Sequence, residues 1–384
     1  MSKLEELIQE LCPNGVEYRP LGEVVSFNRG KAITQKDIKA GEIPVIAGGQ
    51  KPAYFCNEYN RSGETIVIAG SGAYAGFVSY WNEPIFVSDA FSVDITDYQL
   101  VPRFLFHFLL NNQNYIYSKK KGSGVPHVYG KDISNLRIPV PPIEVQEEIV
   151  RILDKFTELS AELSAELSAR KKQYEFYRDV LLSEQSKNIQ FIKLGDVCLK
   201  TGNIKWKEQT KEFDYIDLTS VSRDNGSITI EKKINKDNAP IRAQQIVNTD
   251  DILYATTRPT LQRYCIIPEQ FNNQICSTGF SILRPDKAKI LPLYLYFIVA
   301  SKQFLDYVAN NQEGTSYPAI SDSKLKKFSF ALPSLTEQKR IVAILDRFDK
   351  LCNNISEGLP AEIEARQKQY EYYREKLLQF RIKN

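Results

Sequence analysis

The sequence predicts an α+β protein made of two tandem mixed α/β domains, each followed by a long helical arm. Three observations lead to this prediction: the chain repeats itself, two segments carry a helical spacing of apolar residues, and the rest consists of short β-rich runs. The chain has 384 residues, of which 42% are hydrophobic, so each of two domains can bury its own core.

The internal repeat is clearest in the two arms. Residues 146–159 (QEEIVRILDKFTEL) match residues 338–351 (QKRIVAILDRFDKL) at an offset of 192. Residues 170–182 match residues 366–378 at an offset of 196, so the second arm is four residues longer. The chain is therefore predicted to contain two copies of one unit, each a domain followed by an arm.

The match extends into the globular parts. Residues 21–24 (LGEV) match residues 194–197 (LGDV), and residues 88–91 match residues 277–280. The predicted domain organisation is a first domain at 1–145, a first arm at 146–184, a second domain at 185–337 and a second arm at 338–384.

In both arms the apolar residues recur at steps of three or four, which is typical of a coiled-coil seam. The residues expected in the seam are Leu153, Phe156, Leu163, Tyr174, Tyr177, Leu345, Phe348, Tyr370 and Tyr373. Gly358 and Pro360 lie inside the second arm, so we expect a kink or break at residues 356–360.

The globular parts carry short strand-like runs between Gly and Pro residues, such as residues 65–69 in the first and 252–256 in the second. Each part closes with an apolar helix that has a proline in its first turn, Pro102 or Pro292. His107 lies in the first of these apolar helices, where we expect a hydrogen-bonded core histidine.

Composition excludes several classes of protein. The formal net charge is +3, and no apolar run approaches the roughly 18 residues that a membrane span needs. The start of the chain does not have the pattern of a signal peptide. The six cysteines form no C-x-x-C pair, and only two histidines could join them as ligands. We therefore expect a reduced, cytoplasmic protein without a metal site or a cofactor.

No catalytic residues are predicted. The glycines at 70, 72 and 76 have the spacing of a turn between strands, and Gly30-Lys31 lacks the preceding glycine of a P-loop. The adenine methyltransferase signature, Asp or Asn followed by Pro-Pro and an aromatic residue, does not occur, since residues 140–143 read VPPI.

Basic and aromatic residues cluster in glycine-flanked loops of both domains, and the second domain carries 20 basic against 16 acidic residues. Taken singly, each cluster fits a solvated surface equally well. The matching loops at 122–126 and 314–318 in the duplicated domains favour DNA contact. The candidate DNA-binding residues are Arg29, Lys31, Tyr74, Lys119, Lys120, Lys121, Ser123, Lys205, Trp206, Lys207, Arg258, Arg263, Thr315 and Tyr317.

The chain resembles the specificity subunit of type I restriction-modification systems over nearly its whole length. The resemblance rests on the order domain, arm, domain, arm, on residues 11–18 (LCPNGVEY), on the proline followed by Gln and Ile-Val-x-Ile-Leu-Asp, and on Arg-x-x-Gln-Tyr-Glu-x-Tyr-Arg in both arms. One departure is Val145, where the second copy has Glu337.

The resemblance implies that each globular unit is a target recognition domain for one half of a split double-stranded DNA sequence. It also implies that the arms pair as an antiparallel coiled coil and dock two methyltransferase (modification) subunits, which restriction subunits with translocase activity join for cleavage. Direct repeats whose arms pair in this way are related by a pseudo-twofold axis, which matches the approximate dyad of duplex DNA.

Two alternatives stay open from the sequence. The chain could be an enzyme with an unrecognised nuclease or transferase site, although its acidic residues show no tight pairing with a histidine or metal ligand. It could also be a coiled-coil protein-interaction scaffold without DNA specificity, although a scaffold has no evident need for two divergent domains on matched arms.

Overall fold

The repeat is present in the structure as two units. The computed structural model describes residues 3–33, 39–183, 190–353 and 358–383. One unit consists of residues 1–162 together with 364–384, and the other consists of residues 163–363. Both contain sheets and helices, so the predicted mixed α/β class with two repeated domains is confirmed.

The helices are α1 (Lys3–Leu11), α2 (Leu21–Val24), α3 (Pro102–Asn111), α4 (Gln113–Ser118), α5 (Gly130–Ile133), α6 (Ile143–Ser183), α7 (Pro292–Ala300), α8 (Lys302–Asn311), α9 (Asp322–Leu325), α10 (Leu335–Asn353) and α11 (Leu359–Leu377). The strands of the first unit are β1 (Tyr18–Pro20), β2 (Val25–Arg29), β3 (Ile43–Ile46), β4 (Tyr54–Cys56), β5 (Thr65–Ala69), β6 (Val78–Trp81), β7 (Phe86–Val87), β8 (Ala90–Ile95) and β9 (Arg137–Pro139). Those of the second are β10 (Gln190–Lys193), β11 (Cys198–Leu199), β12 (Phe213–Ile216), β13 (Lys233–Ile234), β14 (Ala243–Val247), β15 (Ile252–Ala255), β16 (Tyr264–Ile266), β17 (Gln274–Ser277), β18 (Phe280–Pro285) and β19 (Ser329–Leu332).

The first unit is built around an antiparallel sheet with the order β2-β8-β5-β6. Strand β5 is buried on both faces, which explains its continuous apolar sequence. One face packs on α3, whose proline occupies the first turn as predicted, where a missing N–H costs no helical hydrogen bond. A smaller sheet, β4-β3-β7, covers part of the other face.

The second unit repeats this plan with β11-β18-β15-β16 as its central sheet and α7 in place of α3. The sequence match of 21–24 with 194–197 is confirmed, because both segments are anchored in the same way. Leu21 donates its backbone N–H to the Leu136 carbonyl at 2.7 Å, and Leu194 donates to the Phe328 carbonyl at 2.8 Å.

One predicted match is wrong by one residue. Phe91 lies opposite Ile68 and faces the core under α3, whereas Phe280 lies opposite Ala255 and faces the other side of its sheet. The strand equivalent to β8 is therefore displaced by 190 positions rather than by the 189 of the sequence match. Because side chains alternate between the faces of a strand, this slip assigns each residue to the wrong face.

The first arm is α6, a helix of 41 residues that begins three residues before the predicted start at 146. The second arm comprises α10 and α11. Of the predicted kink at 356–360, residues 356 and 357 lie outside the described part of the chain, and α11 begins at Leu359 with Pro360 in its first turn. Within the described residues, every helix is too short or too polar to cross a membrane.

Candidate nucleic-acid interface

Three loops meet at one end of the central sheet in the first unit. The loop at 70–76 follows β5, and its Gly72 donates a backbone N–H to the Pro126 carbonyl at 3.0 Å. The loop at 121–127 is closed by paired backbone hydrogen bonds of 2.9 and 2.8 Å between Lys121 and His127. The third loop follows β2, and its Gly30 donates a backbone N–H to the Ala90 carbonyl at 2.9 Å. The structure thus brings Arg29, Lys31, Tyr74 and the loop at 121–127 to a common end of the sheet.

The three consecutive lysines are placed differently from one another. Lys119 and Lys120 are half-buried, with their ammonium groups 4.3 and 4.5 Å from the ring centres of Tyr115 and Tyr117. Lys121 instead forms an ion pair with Asp132, whose side chain is largely buried. The hydrogen bond from Lys121 lowers the pKa of the Asp132 carboxyl. Lys121 therefore stabilises the loop through this ion pair, a contact that the sequence does not predict.

The second unit contains the same loop with the charges of this ion pair reversed. Glu313 and Ala319 exchange backbone hydrogen bonds of 2.7 and 2.8 Å, as Lys121 and His127 do. The Glu313 side chain pairs with Lys324, which occupies the position of Asp132. Glu313 stands where the first unit has Lys121, and Lys324 stands where it has Asp132. The ion pair is therefore preserved although both residues have changed.

Arg258 and Tyr317 of the second unit are exposed side by side at this loop. Arg258 donates its backbone N–H to the Pro318 carbonyl at 2.7 Å, and its guanidinium lies 4.9 Å from the ring centre of Tyr317. Thr315 is exposed in the same loop. Arg263 is half-buried, burial lowers its pKa, and its guanidinium donates to the Leu218 carbonyl.

The cluster at 205–207 lies against a different part of the second unit. Trp206 packs edge-on against Phe213 and donates its indole N–H to the Ala243 carbonyl at 2.8 Å. Lys205 forms an ion pair with Glu208 at 3.3 Å, and Lys207 is exposed. Trp206 therefore packs beside β12 and β14 of the second unit.

His107 is a buried core histidine, as predicted. Its Nε2 atom lies 2.8 Å from an Asp154 carboxylate oxygen, and its Nδ1 atom lies 3.0 Å from the Tyr370 hydroxyl. Nε2 therefore carries the proton that Asp154 accepts, and the Tyr370 hydroxyl donates to Nδ1. Across the described ranges, no group of three or more His, Cys, Asp or Glu side chains could hold a metal ion.

Arm residues contact each other within each unit. In the first, Phe156 of α6 stacks on Tyr373 of α11 at 5.3 Å between ring centres, and Leu153 and Tyr370 are buried nearby. In the second, Tyr177 of α6 stacks on Phe348 of α10 at 5.8 Å. Leu345 and Tyr174 are also buried in that unit, and Leu163 is half-buried. Tyr177 and Tyr373 keep 41% and 42% of their surface exposed, so they lie at the margin of these contacts.

A buried glutamine at the base of each arm was not predicted as functional. Gln146 accepts a hydrogen bond from the Val101 N–H at 2.9 Å and donates to the Gln99 and Pro141 carbonyls, both at 2.7 Å. It joins the start of the arm to the turn before α3. The signal was present in the sequence, because glutamine occupies the first matched position of both arms.

Gln338 makes the same three contacts in the second unit. It accepts from the Leu291 N–H at 2.9 Å and donates to the Lys289 and Pro333 carbonyls at 3.0 Å. Both amides are fully buried, so the repeat preserves a complete hydrogen-bonding arrangement and not only a residue type.

The comparisons with known proteins agree with this arrangement. The sequence model of the family described as Type I restriction modification DNA specificity domain matches residues 13–170 and 186–365. The chain is 29% identical over 415 residues to the specificity subunit of the Escherichia coli type I restriction enzyme EcoR124I/EcoR124II, covering 99% of this chain and 97% of that protein.

Two solved structures share the fold. The S subunit of a type I restriction-modification system from M. genitalium matches with a TM-score of 0.60 at 19% identity, covering 95% of this chain and 96% of that one. A chain from a structure of type I restriction-modification complex assembly matches with a TM-score of 0.55 at 16% identity, covering 96% and 98%. Because the family model matches both repeats, at residues 13–170 and 186–365, the chain belongs to the type I restriction-modification DNA specificity family.

Proposed function

We propose that this chain selects the DNA sequence on which a type I restriction-modification complex acts, with each globular domain reading one half of an asymmetric, bipartite site. One observation carries the proposal beyond family membership. The two units share a loop with the same backbone hydrogen bonds, yet that loop displays Val125 in the first and Tyr317 in the second. A common frame with different side chains suits two related domains that bind unlike sequences.

The two target recognition domains correspond to residues 1–145 and 185–337, and the arms to residues 146–184 and 338–384. The two family matches, at 13–170 and 186–365, support this division because each contains most of one domain and part of an arm. In the first domain the exposed Arg29, Lys31, Tyr74 and Ser123 are the side chains we assign to DNA contact, with Lys119 and Lys120 beside them.

The arms pair as an antiparallel coiled coil. The start of the first arm contacts the end of the second through Phe156 and Tyr373. The end of the first arm contacts the start of the second through Tyr177 and Phe348. This reversed order of contacts along the two arms supports antiparallel pairing. The paired arms then dock two modification subunits, and restriction subunits join them.

The chain itself performs no chemistry in this proposal, because selection and catalysis reside in different subunits. The scaffold alternative makes a different prediction, since a scaffold would assemble the subunits without altering where they act. An enzyme would instead modify or cleave DNA without partners.

The test is to express the chain with a cognate modification subunit and to map methylated sites across a genome. We expect one interrupted, asymmetric motif. Replacing residues 185–337 by the matching domain of a relative should change one half of the motif and leave the other unchanged. A matched replacement of residues 1–145 should change the opposite half. Methylation that is independent of both replacements, or activity of the chain alone, would contradict the proposal.

A further inference from the structure

The turns at 72–76 and 258–262 occupy equivalent places in the two units. Gly72 and Arg258 each donate a backbone N–H to a proline carbonyl, that of Pro126 at 3.0 Å and that of Pro318 at 2.7 Å. Inside each turn, a residue three positions later donates back to the Gly72 or the Arg258 carbonyl, in both cases at 3.0 Å. The two turns therefore have the same backbone frame, and Arg258 stands where the first domain has Gly72.

This frame places its first and last residues in the left-handed region. Gly72 and Gly76 have φ values of +82° and +88°, and Arg258 and Gln262 have values of +48° and +52°. Glycine adopts this region freely, whereas residues with a side chain do so at a cost. The second domain thus keeps an arginine at a position where the fold alone favours glycine, which indicates a role for the side chain.

The side chain is arranged to present its hydrogen-bonding edge. Arg258 is exposed, and its guanidinium lies 4.9 Å from the ring centre of Tyr317, which is 72% exposed. Two lysines of the same domain form ion pairs, Lys205 with Glu208 and Lys324 with Glu313. Arg258 has no ion pair within the described residues. An arginine whose face rests on a tyrosine ring keeps its fork of N–H donors available to a ligand.

We propose that Arg258, held against Tyr317, reads a guanine in the half-site bound by the second domain. The inference rests on the proposed function and adds the residue and the base. The guanidinium fork matches the O6 and N7 acceptors that guanine presents in the major groove. A contact to the phosphate backbone would serve both half-sites alike, but the first domain has Gly72 and Val125 at these two positions. The pair therefore distinguishes the halves.

The test uses Arg258→Gly in the complex with the modification subunit, because glycine is the residue of the first domain at this position. We expect the unfolding midpoint to stay the same or rise, since glycine relieves the left-handed backbone. We expect methylation mapping to show that one guanine of the second half-site has become degenerate, with a discrimination loss of roughly tenfold to a hundredfold. The first half-site should be unchanged.

Two further variants make the result specific. Tyr317→Val, again the residue of the first domain, should weaken discrimination at the same base. Lys287→Ala removes one positive charge elsewhere in the domain, where Lys287 pairs with Asp250 at 2.7 Å, and should leave the motif intact.

Three outcomes would overturn the inference. The first is an unchanged motif in Arg258→Gly. The second is an equal loss of DNA affinity for all sequences with a salt slope shallower by about one, which indicates a phosphate contact. The third is a lower unfolding midpoint, which makes the arginine a requirement of the fold. If the unaltered complex shows no bipartite motif, the proposed function itself fails, which separates the two conclusions.

Discussion

The buried glutamines Gln146 and Gln338 give the sharpest prediction about how the domains hold their arms. Replacing Gln146 by methionine keeps a similar volume but removes all three hydrogen bonds of the amide. The substitution leaves the Val101 N–H and the Gln99 and Pro141 carbonyls without the partner that the fully buried amide provides. A net loss of about 1 kcal/mol for each hydrogen bond gives a destabilisation of about 3 kcal/mol. That is a large part of the total of about 5 to 15 kcal/mol for a folded domain.

Amide hydrogen exchange measures this effect locally. In Gln146→Met we expect the Val101 amide to exchange about a hundredfold faster, since about 1.4 kcal/mol corresponds to a factor of ten. The Leu291 amide, which Gln338 holds in the other unit, should be unaffected. Gln338→Met should give the opposite result, so each variant is a control for the other. Gln369→Met, at an exposed position of the second arm, should change stability by no more than about 0.5 kcal/mol.

Two results would refute this reasoning. If Val101 exchanges at its original rate in Gln146→Met, the amide does not secure the turn before α3. If both amides exchange faster in either variant, the glutamines act on the whole chain and not on their own units.

Three further outcomes are expected from contacts in the structure. Lys121→Glu should destabilise the first domain by up to about 1 kcal/mol. Adding Asp132→Lys should restore its stability, because the second unit already carries this reversed pair. A double-mutant cycle in thermal unfolding that shows no coupling between the two positions would contradict this. Burial lowers the pKa of His107 in the folded protein. The neutral imidazole therefore contributes fully to stability above about pH 6.5, and this contribution declines as the pH falls below that value. When the unfolding midpoint is measured against pH, His107→Phe should flatten this part of the curve. Tyr373→Ser removes the stacking on Phe156, which contributes on the order of 1 kcal/mol. It should therefore weaken binding of the modification subunit in a pull-down titration. The same change at the exposed Tyr372 should have a smaller effect.

The repeat made much of the fold predictable. Matching segments predicted two repeated domains correctly, because a duplicated chain folds into duplicated units. Pro102 and Pro292 marked helix starts correctly, since the requirement at a first turn is local. The match of Phe91 with Phe280 was wrong by one residue because strand register depends on long-range contacts, and a match of four residues does not fix it.

The side chains of the candidate interface were harder to predict for a related reason. A lysine cluster has the same sequence whether its members face solvent or close an ion pair with a residue eleven positions away, as Lys121 does. Trp206 stays a predicted DNA contact from its place between two lysines, and the sequence does not show that its indole N–H donates to the Ala243 carbonyl. The charge exchange at Glu313 and Lys324 was visible in the repeat, and it would have indicated the pair had equivalent positions been compared for compensating changes.

Residues 158–169 read ELSA three times within the uninterrupted helix α6. Each four-residue unit lengthens a helix by about 6 Å and rotates the chain beyond it by about 40°. One base pair of DNA rises about 3.4 Å and turns by about 35°. One unit therefore corresponds to between one and two base pairs in length and to about one in rotation, so facing is nearly preserved. We expect that removing or adding one ELSA unit keeps both half-sequences and changes the gap between them by about one base pair. Methylation mapping of the three variants tests this, and altered half-sequences with a constant gap would rule out a role of the helix in setting the gap.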